Sequence, residues 1–324
     1  MIAFLLAFLA ALLCESVHSE GSSVAWCYND PACNFTTWPE LAPHHCNGSS
    51  QSPINIVTAQ VQENPNLTQF KLTGFDANTT FTSITNSGVS VVVNLDDKIM
   101  SVQGGDLPGL YVSKNFHLHW GSGSSLPGSE HTVNGKQYAM ELHIVNVHSK
   151  YNGSVSVALA AHDSSALAVL GFFIEGTDEA NKTKGWDVLT SFLTKIPNKN
   201  DTTVDIMNQI TMNSLLEGVD KTKYYRYQGS LTTPDCNEAV IWTVFKEPIK
   251  VSNNLINRFS TTVFTKTTSA PVLIFNNFRG VQPLNGRVVT SQVEQTGSSA
   301  APLSPTTSIS SFTLLLLLFS LCCL

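Results

Sequence analysis

Clusters of like charge, Cys-x-x-Cys pairs and apolar runs long enough to span a membrane are all missing from this chain of 324 residues. The net charge of −6 is mild and unpatterned, which argues against a nucleic-acid partner. None of the seven cysteines forms a Cys-x-x-Cys pair, so spacing excludes a cysteine-rich zinc site. No stretch approaches the ~20 apolar residues with basic flanks that a membrane-spanning helix requires. No Gly/Ser linker and no internal repeat divides the middle of the chain, which therefore reads as one domain.

The apolar segments that do exist are short and terminal. Met1 to Leu13 is almost purely apolar and is followed by small residues at Val17 and Ser19. It reads as a secretory signal peptide over residues 1–19, although it lacks the usual basic residue. At the other end, Gly297-Ser298-Ser299-Ala300 precedes a Pro/Ser/Thr spacer and the uncharged tail Phe312 to Leu324. That order matches a GPI-transfer signal. We expect a stalk over 291–298, attachment at Ser298 and removal of 299–324, which would put the protein on the extracellular face of the plasma membrane. Seven Asn-x-Ser/Thr sequons agree with export: Asn34, Asn47, Asn66, Asn78, Asn152, Asn181 and Asn200. With Cys14, Cys322 and Cys323 in the removed ends, Cys27, Cys33, Cys46 and Cys236 remain. An even number in an oxidising compartment implies two disulfides, with three connectivities open.

Between the ends, short alternating stretches dominate: Val89 to Leu95, Asn115 to Trp120, Tyr138 to His148, Val155 to Ala161 and Ala239 to Phe245. Turn signals such as Pro108-Gly109, Asn134-Gly135 and Asn152-Gly153 separate them. Helical periodicity is confined to about Lys184–Thr194 and Asn253–Phe259. The expectation is one mainly β, predominantly antiparallel domain over residues 20–290 with a few peripheral helices.

Chemistry concentrates in Asn115-Phe116-His117-Leu118-His119-Trp120. On a strand, Asn115, His117 and His119 share one face, with the two imidazoles about 7 Å apart along the backbone. In Tyr138 to Val145, the residues Glu141, His143 and Val145 likewise share a face. If the two strands are neighbours, His143 adds a third nitrogen. Three nitrogens without a fourth protein ligand describe a catalytic zinc site with an open position. Asn115 and Glu141 have the parity to accept hydrogen bonds from the outer imidazole N–H groups. His44, His45, His148 and His162 read as surface or loop histidines, and His131 as a structural, hydrogen-bonding one.

Several motifs in one order resemble the α-class carbonic anhydrases. They are Gln51-Ser52-Pro53-Ile54-Asn55-Ile56, Phe116 to Gly121, Glu130-His131-Thr132-Val133, Glu141-Leu142-His143, Gly229 to Pro234 and Gln282-Pro283-Leu284. The resemblance spans about Trp26 to Val289 and is strongest to the GPI-anchored membrane members. It implies a single α-carbonic-anhydrase domain built on a mixed, twisted central sheet, and the pairs Cys27–Cys33 and Cys46–Cys236. It implies Zn2+ on His117, His119 and His143, with hydroxide attacking carbon dioxide to give bicarbonate. Thr232 would orient the nucleophile while donating to Glu130. Thr232, Thr233, Val145, Val169, Leu231 and Trp242 would line the substrate pocket, and the Asn277 carbonyl would support His119. Bicarbonate or acid–base transporters are the partners such a protein would serve.

One position departs from the family pattern. Fast members carry a histidine in an Asn-x-Gly-His stretch that passes the proton to buffer. Here the stretch is Asn86-Ser87-Gly88-Val89, and Val89 cannot take a proton. Direct transfer from a group of pKa ~7 to water is uphill by about nine units, or ~12 kcal/mol. That caps the step near ~10³–10⁴ per second. The expectation is an active but proton-limited enzyme. Two rival functions share parts of this pattern. One is an inactive carbonic-anhydrase-like surface binding module, which would have lost a zinc histidine. The other is a cupin-type oxygenase, which would place a carboxylate ligand close after the His-x-His pair.

Overall fold

The computed structural model describes residues 26–42, 46–179, 184–199, 203–265 and 272–293. The expected signal segment, Ser298 and the tail after it, the sequons Asn181 and Asn200, and His44 and His45 lie outside the described residues.

A twelve-stranded sheet forms the body of the molecule. Its principal strands are β1 (Phe81–Asn86), β2 (Val91–Leu95), β3 (Tyr111–Trp120), β4 (Met140–His148), β5 (Leu167–Thr177), β6 (Tyr224–Gly229) and β7 (Val240–Ser252). They lie side by side in the order β1-β2-β3-β4-β5-β7-β6, flanked by short strands at both edges. All neighbouring pairs among them are antiparallel except β5 with β7, so the sheet is mixed and predominantly antiparallel as expected.

The centre of the sheet is covered on both faces, which is why β4 and the first part of β5 read as unbroken buried runs. One face turns Phe116, Leu118, Leu142, Ile144, Leu170, Phe172 and Phe245 into the main core. Phe172 and Phe245 stack there at 4.3 Å. Each such side chain contributes roughly 1.5–3 kcal/mol by leaving water. Two helices close this face, α2 (Lys184–Ser191) and α3 (Asn253–Thr262), through Trp186, Leu189, Leu255, Ile256 and Phe259. Both fall where the helical periodicity placed them.

The segment at Val155–Ala161 is different. It was expected to be a strand, but Val155–Ala160 forms α1, capped by the Ser154 hydroxyl, which accepts from the Val157 N–H. Only Ala158 is buried in it, so the alternation of Val and Ala marks no sheet face, and the cap decides the local structure. At the other end, strand Thr290–Ser291 pairs with β6 and Gln62–Glu63 and straddles the expected domain end at residue 290, so the compact unit runs on to Val293.

Both disulfides join the pairs that the resemblance implied. Cys27–Cys33 staples a short loop whose two cysteine carbonyls receive the Trp38 indole N–H. Cys46–Cys236 spans 190 residues and lies beside Trp38 in a small aromatic cluster with Trp26, Tyr28 and Phe35. Cross-linking so long a loop restricts the unfolded chain strongly. Replacing Cys46 and Cys236 together by Ser should lower the unfolding free energy by roughly 2–5 kcal/mol, measured by urea denaturation against the wild type.

Candidate metal centre

The pairing of β3 with β4 sets His143 opposite His117 and Glu141 opposite His119. The three imidazoles therefore converge on one face, with ring centroids 5.1, 5.3 and 4.6 Å apart and one nitrogen of each within 4.8 Å of the others. The outer nitrogen of each ring has a partner. His119 Nδ1 donates to the Asn277 carbonyl at 2.7 Å, and His143 Nε2 to Glu141 Oε1 at 2.8 Å. His117 Nδ1 faces Asn115 Oδ1 at a longer 3.5 Å. These contacts set the tautomers and leave one lone pair per ring directed into the common space.

The space is shaped for a cation. His119 Nε2 is buried and has no hydrogen-bond partner, a costly condition for an imidazole unless another group takes its lone pair. Three neutral nitrogens with no protein carboxylate among them suit a borderline metal such as zinc. A second cluster, His131, Glu141 and His143, is also compact enough for a metal, but its atoms are already bonded to one another at 2.7 and 2.8 Å.

Electrostatics favour metal-ready ligands. Burial holds His117 well below the ordinary histidine value, helped by repulsion from His119 and His143. Burial lowers His119 to about 4, and lowers His143 against the opposing pull of Glu141. Burial pushes the Glu141 carboxyl upward, yet His131 and His143 outweigh it and hold that group well below the usual carboxylate range. Burial raises Glu130 to about 7, with the His143 ring, the Arg279 backbone N–H and the Thr232 hydroxyl pulling the other way.

Glu130 Oε2 lies 3.4 Å from His119 Nε2, and its Oε1 accepts the Arg279 backbone N–H at 2.8 Å. Val145, Val169 and Trp242 occupy one row across β4, β5 and β7, with Leu231 packed against the same cluster. The Trp242 ring stands edge-on to His143 at 4.8 Å, and its N–H donates to the Ser230 carbonyl. Thr232 is buried and Thr233 half-buried; the Thr233 carbonyl accepts from Cys236 N–H, which ties this loop to the long disulfide. Val89 is half-buried between β1 and β2, and its carbonyl accepts from Asn277 Nδ2.

Three residues were missed from sequence. Arg279 is buried, and its guanidinium donates to Gln51 Oε1 and the Ser52 carbonyl. Tyr227 bonds both His131 and Ser52. Gly171 sits opposite His143, where an added Cβ would stand 3.1 Å from Glu141 Oε1. A glycine inside a buried strand is itself a signal of close approach; Arg279, in a loop without periodicity, offered none. His131 is the structural residue expected, bonded to Glu141 and Tyr227.

Residues 33–293 match the eukaryotic-type carbonic anhydrase family. The chain belongs to that family. It is 38% identical to mouse carbonic anhydrase 4 over 88% of this chain and 89% of the relative. It is 35% identical to bovine carbonic anhydrase 6, covering 82% and 79%, and 33% identical to mouse carbonic anhydrase 15, covering 93% of each. As a carbonic anhydrase it is a carbonate dehydratase, acting on carbon dioxide and bicarbonate.

The lowered histidine pKa values set a sign for metal retention. Ordinary histidines protonate as pH falls through about 6.5, but His119 stays neutral down to about 4. Zinc bound to the protein should therefore survive dialysis at pH 6 and leave only at clearly more acidic pH, as metal content at each step will show.

Proposed function

We propose that this carbonic anhydrase is a zinc enzyme of the extracellular membrane surface whose turnover is limited by proton removal. The unpartnered, buried His119 Nε2, aimed into the space shared with His117 and His143, is the observation that carries the zinc reading. His117 and His119 would bind through Nε2, and His143 through Nδ1. Zinc at such a site lowers the pKa of water to about 7, an effect for which this family is itself the standard example.

The remaining chemistry belongs to the chain. The overall reaction adds water to carbon dioxide and releases bicarbonate and a proton. Carbon dioxide is uncharged and a weak hydrogen-bond acceptor, so a wall of Val145, Val169, Leu231 and Trp242 suits it. Thr232, with its hydroxyl donating to Glu130, would present its oxygen only as an acceptor and so orient the attacking oxygen. Glu130 suits that part because the Arg279 N–H occupies its Oε1, while its buried Oε2 has no hydrogen-bond partner and is left for the threonine hydroxyl. Thr233 would border the product.

The proton must then leave past Val89, which has no group to carry it. Two apolar terminal segments, two disulfides and the exposed sequons Asn47, Asn66, Asn78 and Asn152 support the secreted, GPI-anchored reading; Asn34 is half-buried. Among the described residues no helix is long and apolar enough to cross a membrane. Bicarbonate or acid–base transporters are the partners that such a placement would serve.

Stopped-flow carbon dioxide hydration tests the reading. Turnover should be zinc-dependent, abolished by a sulfonamide, near ~10³–10⁴ per second in dilute buffer, and should climb with added imidazole. A high rate that ignores imidazole would refute proton limitation. Val89→His should raise turnover in dilute buffer and leave zinc content unchanged.

A further inference from the structure

One fully buried residue, Ser52, is linked through its direct hydrogen-bond partners to three parts of the site without being near the metal ligands in sequence. The Ser52 hydroxyl lies 2.8 Å from the Tyr227 hydroxyl and accepts the Ser230 N–H at 3.0 Å. The Ser52 N–H donates in return to Ser230 Oγ at 2.9 Å, and its carbonyl accepts Arg279 Nη1 at 2.9 Å.

Each bond leads to a different functional group. Tyr227 lies 2.6 Å from His131 Nε2, and His131 Nδ1 lies 2.7 Å from Glu141 Oε1, the oxygen that accepts from His143. Ser230 leads through Leu231 to Thr232, and its carbonyl holds the Trp242 indole. Arg279 donates its own backbone N–H to Glu130 Oε1. Three intervening residues or fewer thus separate Ser52 from a metal-facing histidine, the threonine loop and Glu130.

We propose that Ser52 is a positioning residue that holds the His143 arm, the Thr232 arm and Glu130 in one register; this rests on the zinc reading above. Its hydroxyl is difficult to replace by water. Gly229 is so close that an added Cβ there would stand 2.2 Å from Ser52 Oγ. Without the hydroxyl, the Ser230 N–H would lose its acceptor and Tyr227 one of its two partners, in a region closed to solvent. Both arms would relax at once, because the same oxygen serves both. A residue that merely filled space would lower stability and leave the chemistry of the folded protein alone.

The full chain carrying Ser52→Ala separates these outcomes, beside Tyr227→Phe, which breaks the link to His131 and keeps the Ser52–Ser230–Arg279 bonds. Zinc release into excess chelator, kcat/KM of the zinc-loaded protein and the thermal midpoint are measured for each. For Ser52→Ala we expect zinc release ten- to a hundredfold faster and kcat/KM lowered about tenfold or more, the range typical for supports of metal ligands. For Tyr227→Phe we expect faster zinc release and a loss of kcat/KM smaller than that of Ser52→Ala, because the threonine arm is untouched. Wild-type zinc release and kcat/KM in a Ser52→Ala protein of lowered midpoint would overturn the proposal. If Ser52→Ala yields no folded protein, wild-type zinc release from Tyr227→Phe overturns it equally. A wild-type chain that binds no zinc would instead refute the zinc reading itself, so the two failures are distinguishable.

Discussion

A carboxylate enclosed in protein is tolerable only when every lone pair is answered, and Glu141 meets that condition. Its Oε1 is bonded to His143 and His131, and its Oε2 to the backbone N–H groups of Glu130 and His131. Those four bonds keep the charge in place where desolvation would otherwise remove it. The same four bonds aim one histidine of the triad, fix a second imidazole behind it and hold the backbone that carries Glu130. The histidine face, Glu130 and the supporting network are all arranged about this one group. Gly171 opposite it is the concession the neighbouring strand makes to its size.

The sheet divides the work between its faces. Even-numbered positions of β4 up to Ile144 enter the apolar core, while Glu141, His143 and Val145 line the site. A rigid, close-packed back therefore supports a polar front, and the histidines cannot swing without disturbing Leu142 and Ile144. The Trp242 ring joins the two requirements of the site, packing against His143 on one side and belonging to an apolar cluster on the other.

How much of this was legible depended on the range of each constraint. Strand parity is local, so the common face of His117, His119 and Asn115, and that of Glu141 and His143, could be read from period two alone. That the two strands are adjacent, and the identity of the disulfide pairs, came only through the family resemblance, because neither is encoded in spacing. The Val155–Ala160 helix was misread for the opposite reason: a single capping serine overrode a pattern that looked like a strand. Arg279 and Tyr227 escaped notice because their roles exist only after distant segments meet. Nothing in their local sequence distinguishes a buried hub from an ordinary loop or strand residue.

The parts of the site are also scattered along almost the whole chain, from Ser52 through His117, His143 and Thr232 to Arg279, and strand Thr290–Ser291 pairs back to Gln62–Glu63. Contacts this remote in sequence carry a high loop-closure entropy and are intrinsically slow to form. No partial fold contains a working centre, so the ability to hydrate carbon dioxide coincides with completion of the domain. A polypeptide built this way stays catalytically silent until the last strand has joined the sheet.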